Sequence, residues 1–154
     1  MRGSLNMDQT VHTLNLWLMV GMVASAVAGL LHVGCIVFGA SWYRLLGAGE
    51  DMARMVEAGR LQPHLITLVV ALILFGWATY ALAGAGQLLP LLLPAIRWVI
   101  LAITLVYLLR GIAGFFINTS NYGRSHAFWW WSSSICLAIG AMHAVGLWQV
   151  WHRL

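Results

Sequence analysis

The sequence predicts an all-α fold, an integral membrane four-helix bundle with a short interfacial helix between the first and second spans. Three observations predict it. Four apolar stretches occupy most of the 154 residues, each close to the ~20 apolar residues that a ~30 Å hydrocarbon core requires. Mean hydropathy is +0.86, with only 8% charged residues against about 25% in soluble domains. Of nine tryptophans, Trp42, Trp98, Trp129, Trp130, Trp131, Trp148 and Trp151 fall near the ends of the stretches, where amphipathic rings sit at headgroup level. Runs this long and continuous satisfy their backbone in lipid as helices rather than as barrel strands. Residues 1–154 therefore read as a single transmembrane domain, with too little chain between spans for a soluble catalytic module.

The opening MRGSLN (residues 1–6) resembles a vector-derived leader, which makes Met7 the expected natural start. The first span, about 16–39, is too long for a signal-peptide core, and a charged linker rather than a cleavage site follows it, so it is expected to remain. Within it Gly21, Ser25 and Gly29 recur every four residues, and His32 extends the same stripe. Small residues at this spacing let another helix approach closely, and the histidine should point into the bundle. The linker SWYRLLGAGEDMARMVEAGRLQP predicts a short helix over 50–60, in which Met52, Met55 and Val56 share a face apart from Arg54, Glu57 and Arg60. Such a helix lies at the interface.

Pro63 opens the second span, about 65–85, at a position the first helical turn tolerates. The uncharged turn AGAGQLLPLLLP predicts a tight hairpin into the third span, about 91–113. Then INTSNYGRSHA collects turn formers, and its Asn118 opens an N-x-[ST] triplet. The fourth span covers about 128–150.

All eight basic residues are arginine, so the formal charge of +4 is permanent. The charge is expected to serve topology and headgroup anchoring, not nucleic-acid binding. Four spans put both termini on one side. Arg44, Arg54, Arg60, Arg110 and Arg124 lie toward the linkers, against Arg2, Arg97 and Arg153 toward the termini. The positive-inside rule then places linkers 40–64 and 117–127 in the cytoplasm and both termini opposite. Cys35 and Cys136 both fall within spans, which argues against a disulfide framework.

Ionisable groups inside spans are functional candidates by default, and three qualify: His32, Arg110 and His143. At ~1.5 Å per residue, His32 lies about 10 Å from the linker side and Arg110 within about 5 Å of it. His64 and His126 stand at the same mouth. Trp42, Tyr43, Arg44 and Glu50 of the first linker join them, with Tyr107, Tyr122 and Arg124, to predict a polar vestibule over an apolar bundle. A vestibule of this kind suits a hydrophobic or amphipathic molecule such as a lipid, fatty acid or quinone. Arg110 would hold an anionic or carbonyl head by charge-assisted hydrogen bonds, while His32 and His64 tune or relay a proton. Two other classes of role stay open: a quinone-linked membrane oxidoreductase subunit, and a non-catalytic scaffold or assembly partner whose polar groups are internal glue. In the latter, Arg110 snorkels to headgroups.

No cofactor is expected. His143 comes out about 22 Å from the linker side, too far below His32 for the two to clamp one haem. His32, Cys35 and Cys136 all lie about 6–12 Å deep and form the alternative soft-metal set, but buried cysteines more often act as small hydrophobes. No carboxylate lies in any span, which argues against a proton-coupled exporter built on an intramembrane acid. Nucleophile elbows, phosphate loops and HExxH are absent. The partners expected are membrane lipids, a hydrophobic small molecule, and a second copy of the chain through the glycine stripe or other bundle faces.

The small size, the glycine-bearing first span, the charged linker after it, the YxxxGxGxxxP turn from Tyr80 to Pro90 and the LLRG of 108–111 together resemble the DoxX-like group of small bacterial membrane proteins. The resemblance implies a four-helix inner-membrane architecture and a redox or quinone-linked role. Where that group carries an acidic residue in the second span, this chain has Trp77 and Tyr80. The block from His32 to Glu50, HVGCIVFGASWYRLLGAGE, is also similar to four-span proteobacterial proteins, a likeness that implies architecture and no activity.

Overall fold

The computed structural model describes residues 14–86, 93–116 and 126–154. The leader, the second turn at 87–92, and the third linker with Asn118, Tyr122 and Arg124 lie outside the described residues. The described residues form six helices in order: α1 (Leu16–Phe38), α2 (Ala40–Leu45), α3 (Glu50–Glu57), α4 (Gln62–Gly84), α5 (Ile96–Phe116) and α6 (His126–Val150). Helices α1, α4, α5 and α6 are long and apolar enough to cross a membrane, so the chain is a multi-pass membrane protein with an all-α fold.

Local chemistry sets the helix ends. Asn15 caps α1 by accepting the Leu18 N–H at 2.9 Å, one of the donors the first turn leaves unpaired. Gly39, at φ +72°, stops α1 and turns the chain into α2, a backbone setting that glycine adopts without strain. The linker thus holds two short helices where periodicity predicted one. The second of these, α3, ends at Glu57 and not at residue 60, because Gly59 takes φ +71° and closes the turn.

Pro63 lies in the first turn of α4, as its fixed φ allows. The third span begins at Ile96 instead of residue 91. Pro94 has no N–H to donate and disfavours helical geometry in the residue before it, so the chain bends through 93–95 and the helix starts beyond.

The four long helices run up and down in a ring. The closest partnerships are α1 with α4 and α5 with α6; α1 meets α6, and α4 meets α5 more lightly. The linker helices α2 and α3 pack on each other beneath the end of α1 and the start of α4. Both described termini come together at the other end. There the Asn15 side chain donates to Gln149 Oε1 at 2.8 Å and to the Gly146 carbonyl at 3.4 Å, and the Asn15 N–H donates to the Ala85 carbonyl at 3.2 Å. One residue ties α1, α6 and the end of α4 together.

The helices approach closely through glycines. A Cβ on Gly21 would lie 2.7 Å from the His143 ring, and one on Gly29 would lie 3.0 Å from Phe75. Ser25, between them, hydrogen-bonds Tyr107 at 3.0 Å. The stripe expected to serve self-association is therefore consumed inside the bundle, against α6, α5 and α4 in turn. Gly111 lies on Leu137 and Gly140 on Leu108, bringing α5 and α6 together.

Candidate functional site

The residues predicted to share one vestibule divide among four places. The first is the linker platform. Arg44 forms a two-pronged pair with Glu50, Nε and Nη2 each 2.9 Å from a carboxylate oxygen, and Nη1 donates to Glu57 at 2.7 Å. Arg54 adds a 3.4 Å bond to Glu50. These hydrogen bonds to Arg44 hold the Glu50 and Glu57 carboxyls below the usual carboxylate range, and they raise Arg44 further. Arg44 and Glu50 are satisfied by the protein itself. Trp42 stacks on Phe38 at 4.5 Å and lies across Gly34 of α1.

Tyr43 is buried and donates to Thr67 Oγ1 at 2.9 Å, which anchors α2 to α4. Burial pushes its phenol up, and the Thr67 bond opposes that shift. His64 meets the Tyr43 ring edge-on at 6.0 Å, and its buried Nδ1 has no hydrogen-bond partner among the described residues.

The second place is the bundle centre. Tyr107, predicted at the mouth, is instead buried in the core with Leu74, Ile103 and Ile139. Its ring stacks edge-on with Trp77 at 5.0 Å and lies 5.6 Å from His143. His143 is fully buried, and its Nδ1–H donates to the Ile139 carbonyl at 2.9 Å, since a carbonyl can only accept. That tautomer leaves Nε2 as a buried acceptor without a partner. His32 uses the same device in α1: it is half-buried, and its Nδ1–H donates to the Ala28 carbonyl at 2.7 Å.

The third place is the seam between α5 and α6 near the linker end, where Arg110 lies. Its Nη2 donates to Ser132 Oγ at 3.0 Å, and the guanidinium carbon lies 5.0 Å from the centroid of the Trp129 ring. This half-buried arginine still has one nitrogen, Nη1, that is buried without a hydrogen-bond partner among the described residues. The Ser133 hydroxyl, on a fully buried residue, is in the same condition. Both atoms lie against Gly114: a Cβ there would lie 2.7 Å from Arg110 Nη1 and would run into Ser133 Oγ. The absent side chain lets a charged group and a hydroxyl descend onto the α5 backbone, one turn after Arg110. Arg110 was legible as an ionisable group in a span. Its companions were not, because Ser132, Ser133 and Trp129 sit in a run of serines and tryptophans that reads as interface composition.

The fourth place is the outer face at the start of α6. There an open groove of about 420 Å³ is lined by His126, Ala127, Trp130, Trp131 and Ser134. These residues face away from the core-facing Trp129 and Ser133, so His126 does not join the Arg110 seam.

Among the described residues no three His, Cys, Asp or Glu side chains converge on one metal position. Cys35 packs with Tyr43 and Ala53 beneath the linker, whereas Cys136 packs against the central cluster of Tyr107 and Ile139. The alternative set His32, Cys35 and Cys136 is thus not assembled, because equal depth on different helices does not bring side chains together. No protein-family model, no curated protein and no solved structure matches this chain.

Proposed function

We propose that this small polytopic membrane protein binds the polar head of a hydrophobic or amphipathic molecule, a lipid, fatty acid or quinone, at the α5–α6 seam on its linker side. One observation supports the reading above the others: Arg110 Nη1 and Ser133 Oγ are both buried against Gly114, and neither has a hydrogen-bond partner among the described residues. An unpaired buried donor costs about 1–3 kcal/mol, and more where it is charged. An acceptor head would satisfy both donors at once, with the tail lying in the apolar surroundings of the helices. Arg44 and Glu50 drop out of the ligand set, since they neutralise each other with the help of Glu57. The linker side is proposed to face the cytoplasm of an inner membrane, where Arg44, Arg54, Arg60 and Arg110 gather. The DoxX-like likeness supports the architecture, and no redox step is drawn from it.

The test is mass spectrometry of small molecules retained through detergent purification, comparing the wild type with Arg110→Ala. Enrichment of an amphiphile that is lost in Arg110→Ala, with the folded protein still monodisperse, supports binding. Equal retention in both proteins, with only stability changed, would turn the reading to a scaffold role.

A further inference from the structure

We infer that the head held at Arg110 is anionic, a carboxylate or phosphodiester carried on an apolar tail, and not a neutral carbonyl such as a quinone presents. The inference rests on the binding reading above and narrows it by charge. The chain has four acidic residues: Asp8, Glu50, Asp51 and Glu57. Glu50 and Glu57 are engaged by Arg44, and Asp51 is exposed on α3. Asp8 precedes α1 in the sequence and lies outside the described residues.

The spans therefore supply no carboxylate to Arg110. Among the described residues it is also the one arginine that is not exposed. Arg97, the other arginine in a long helix, is exposed at the far end beside Trp98 and Trp151 at 5.4 and 5.8 Å.

A half-buried guanidinium in a low-dielectric seam needs a counter-charge as well as hydrogen bonds. Ser132 offers a neutral acceptor and Trp129 a ring face, and neither carries net charge. A neutral carbonyl would accept a hydrogen bond and leave the charge uncompensated. The unpartnered donors are on two side chains, a guanidinium N–H and a hydroxyl, both against Gly114. Two oxygens on one carbon or phosphorus atom match two neighbouring donors, whereas a ketone offers a single oxygen. Free fatty acid and anionic phospholipid share this chemistry.

The experiment measures equilibrium binding of brominated amphiphiles to delipidated protein in neutral detergent, read as quenching of tryptophan fluorescence, with Trp129 beside the guanidinium. The probes are dibromostearate, brominated phosphatidylglycerol, and the uncharged brominated monoacylglycerol and diacylglycerol. The expected result is that at least one anionic probe binds about tenfold more tightly than its uncharged counterpart, a preference abolished in Arg110→Gln and retained, though weaker, in Arg110→Lys. Dibromostearate leading identifies a free carboxylate; phosphatidylglycerol leading identifies a lipid headgroup. Should Arg110→Gln fail to fold, Ser133→Ala is expected to weaken anionic binding about threefold or more while keeping the preference for charge. Charged and uncharged probes binding equally to the wild type, and both weaker in Arg110→Gln, overturns the anionic inference and leaves the amphiphile reading intact. Binding that is indifferent to Arg110 and Ser133 overturns both.

Discussion

The Tyr107 hydroxyl lies 3.0 Å from Ser25 Oγ and so joins α5 to α1 across the middle of the bundle. Ser25 is fully buried and Tyr107 nearly so. Tyr107→Phe should destabilise the folded protein by about 0.6–2 kcal/mol, the span of interhelical hydrogen bonds measured in membranes. Thermal unfolding in detergent checks this. Ser25→Ala in the Tyr107→Phe background should add little, because the interaction is already gone.

His143 and Gly21 form a second contact of this kind, with the imidazole against bare backbone. Gly21→Ala places a methyl 2.7 Å from the ring of a side chain that is fully buried and cannot retreat to solvent. Overpacking of this sort costs about 1–3 kcal/mol. Gly76→Ala, in the same type of helix but with open space around the added carbon, should be neutral or slightly stabilising. Comparing the two unfolding midpoints separates a packing effect from a helix-propensity effect. If both variants behave alike, the His143 contact is not what constrains Gly21.

The long helices were readable because lipid demands about 20 apolar residues and the sequence offers four such runs. Where Pro94 interrupts an apolar run, hydropathy alone placed the start of α5 too early; the ring's missing N–H, not hydrophobicity, decides that boundary. Asn15 is a cap-forming residue directly before an apolar run, a signal present in the sequence yet easily passed over beside the spans. The candidate site was only half legible. Depth along a helix can be counted from sequence, which brought Arg110 forward, but rotation about the axis cannot be fixed where almost every face is apolar. Tyr107 therefore turned out central rather than at the mouth, and Cys35 and Cys136 separate.

The linker platform should loosen in acid. Glu50 and Glu57 are held below their ordinary range chiefly by hydrogen bonds from Arg44. Groups with depressed values contribute stability that is complete above the unfolded-state value, about 4.3 for Glu, and lost as pH falls through the lowered folded value. The protection of residues 46–59 against hydrogen exchange, taken relative to the intrinsic rate at each pH, should be unchanged from neutral pH to about pH 5 and fall below it. Arg44→Gln should remove that pH dependence. Protection that falls equally in the variant would mean that the ion pairs of Arg44 are not what makes the platform acid-sensitive.

The proposed orientation is open to direct test. Asp51 is exposed on α3, so Asp51→Cys should react with a membrane-impermeant maleimide only after the cytoplasmic face is opened. Reaction in intact spheroplasts would place the linker outside and reverse the assignment made from arginine placement.

The binding claim is tested most directly at Arg110 itself, by nuclear magnetic resonance of protein carrying isotopically labelled arginine side chains. The Arg110 signal is identified by its loss in Arg110→Gln. On addition of oleate, the Arg110 guanidinium resonances should shift and their protons exchange more slowly, while those of exposed Arg54, Arg60 and Arg153 stay in place. Oleate that moves the exposed arginines and leaves Arg110 unchanged would contradict the account.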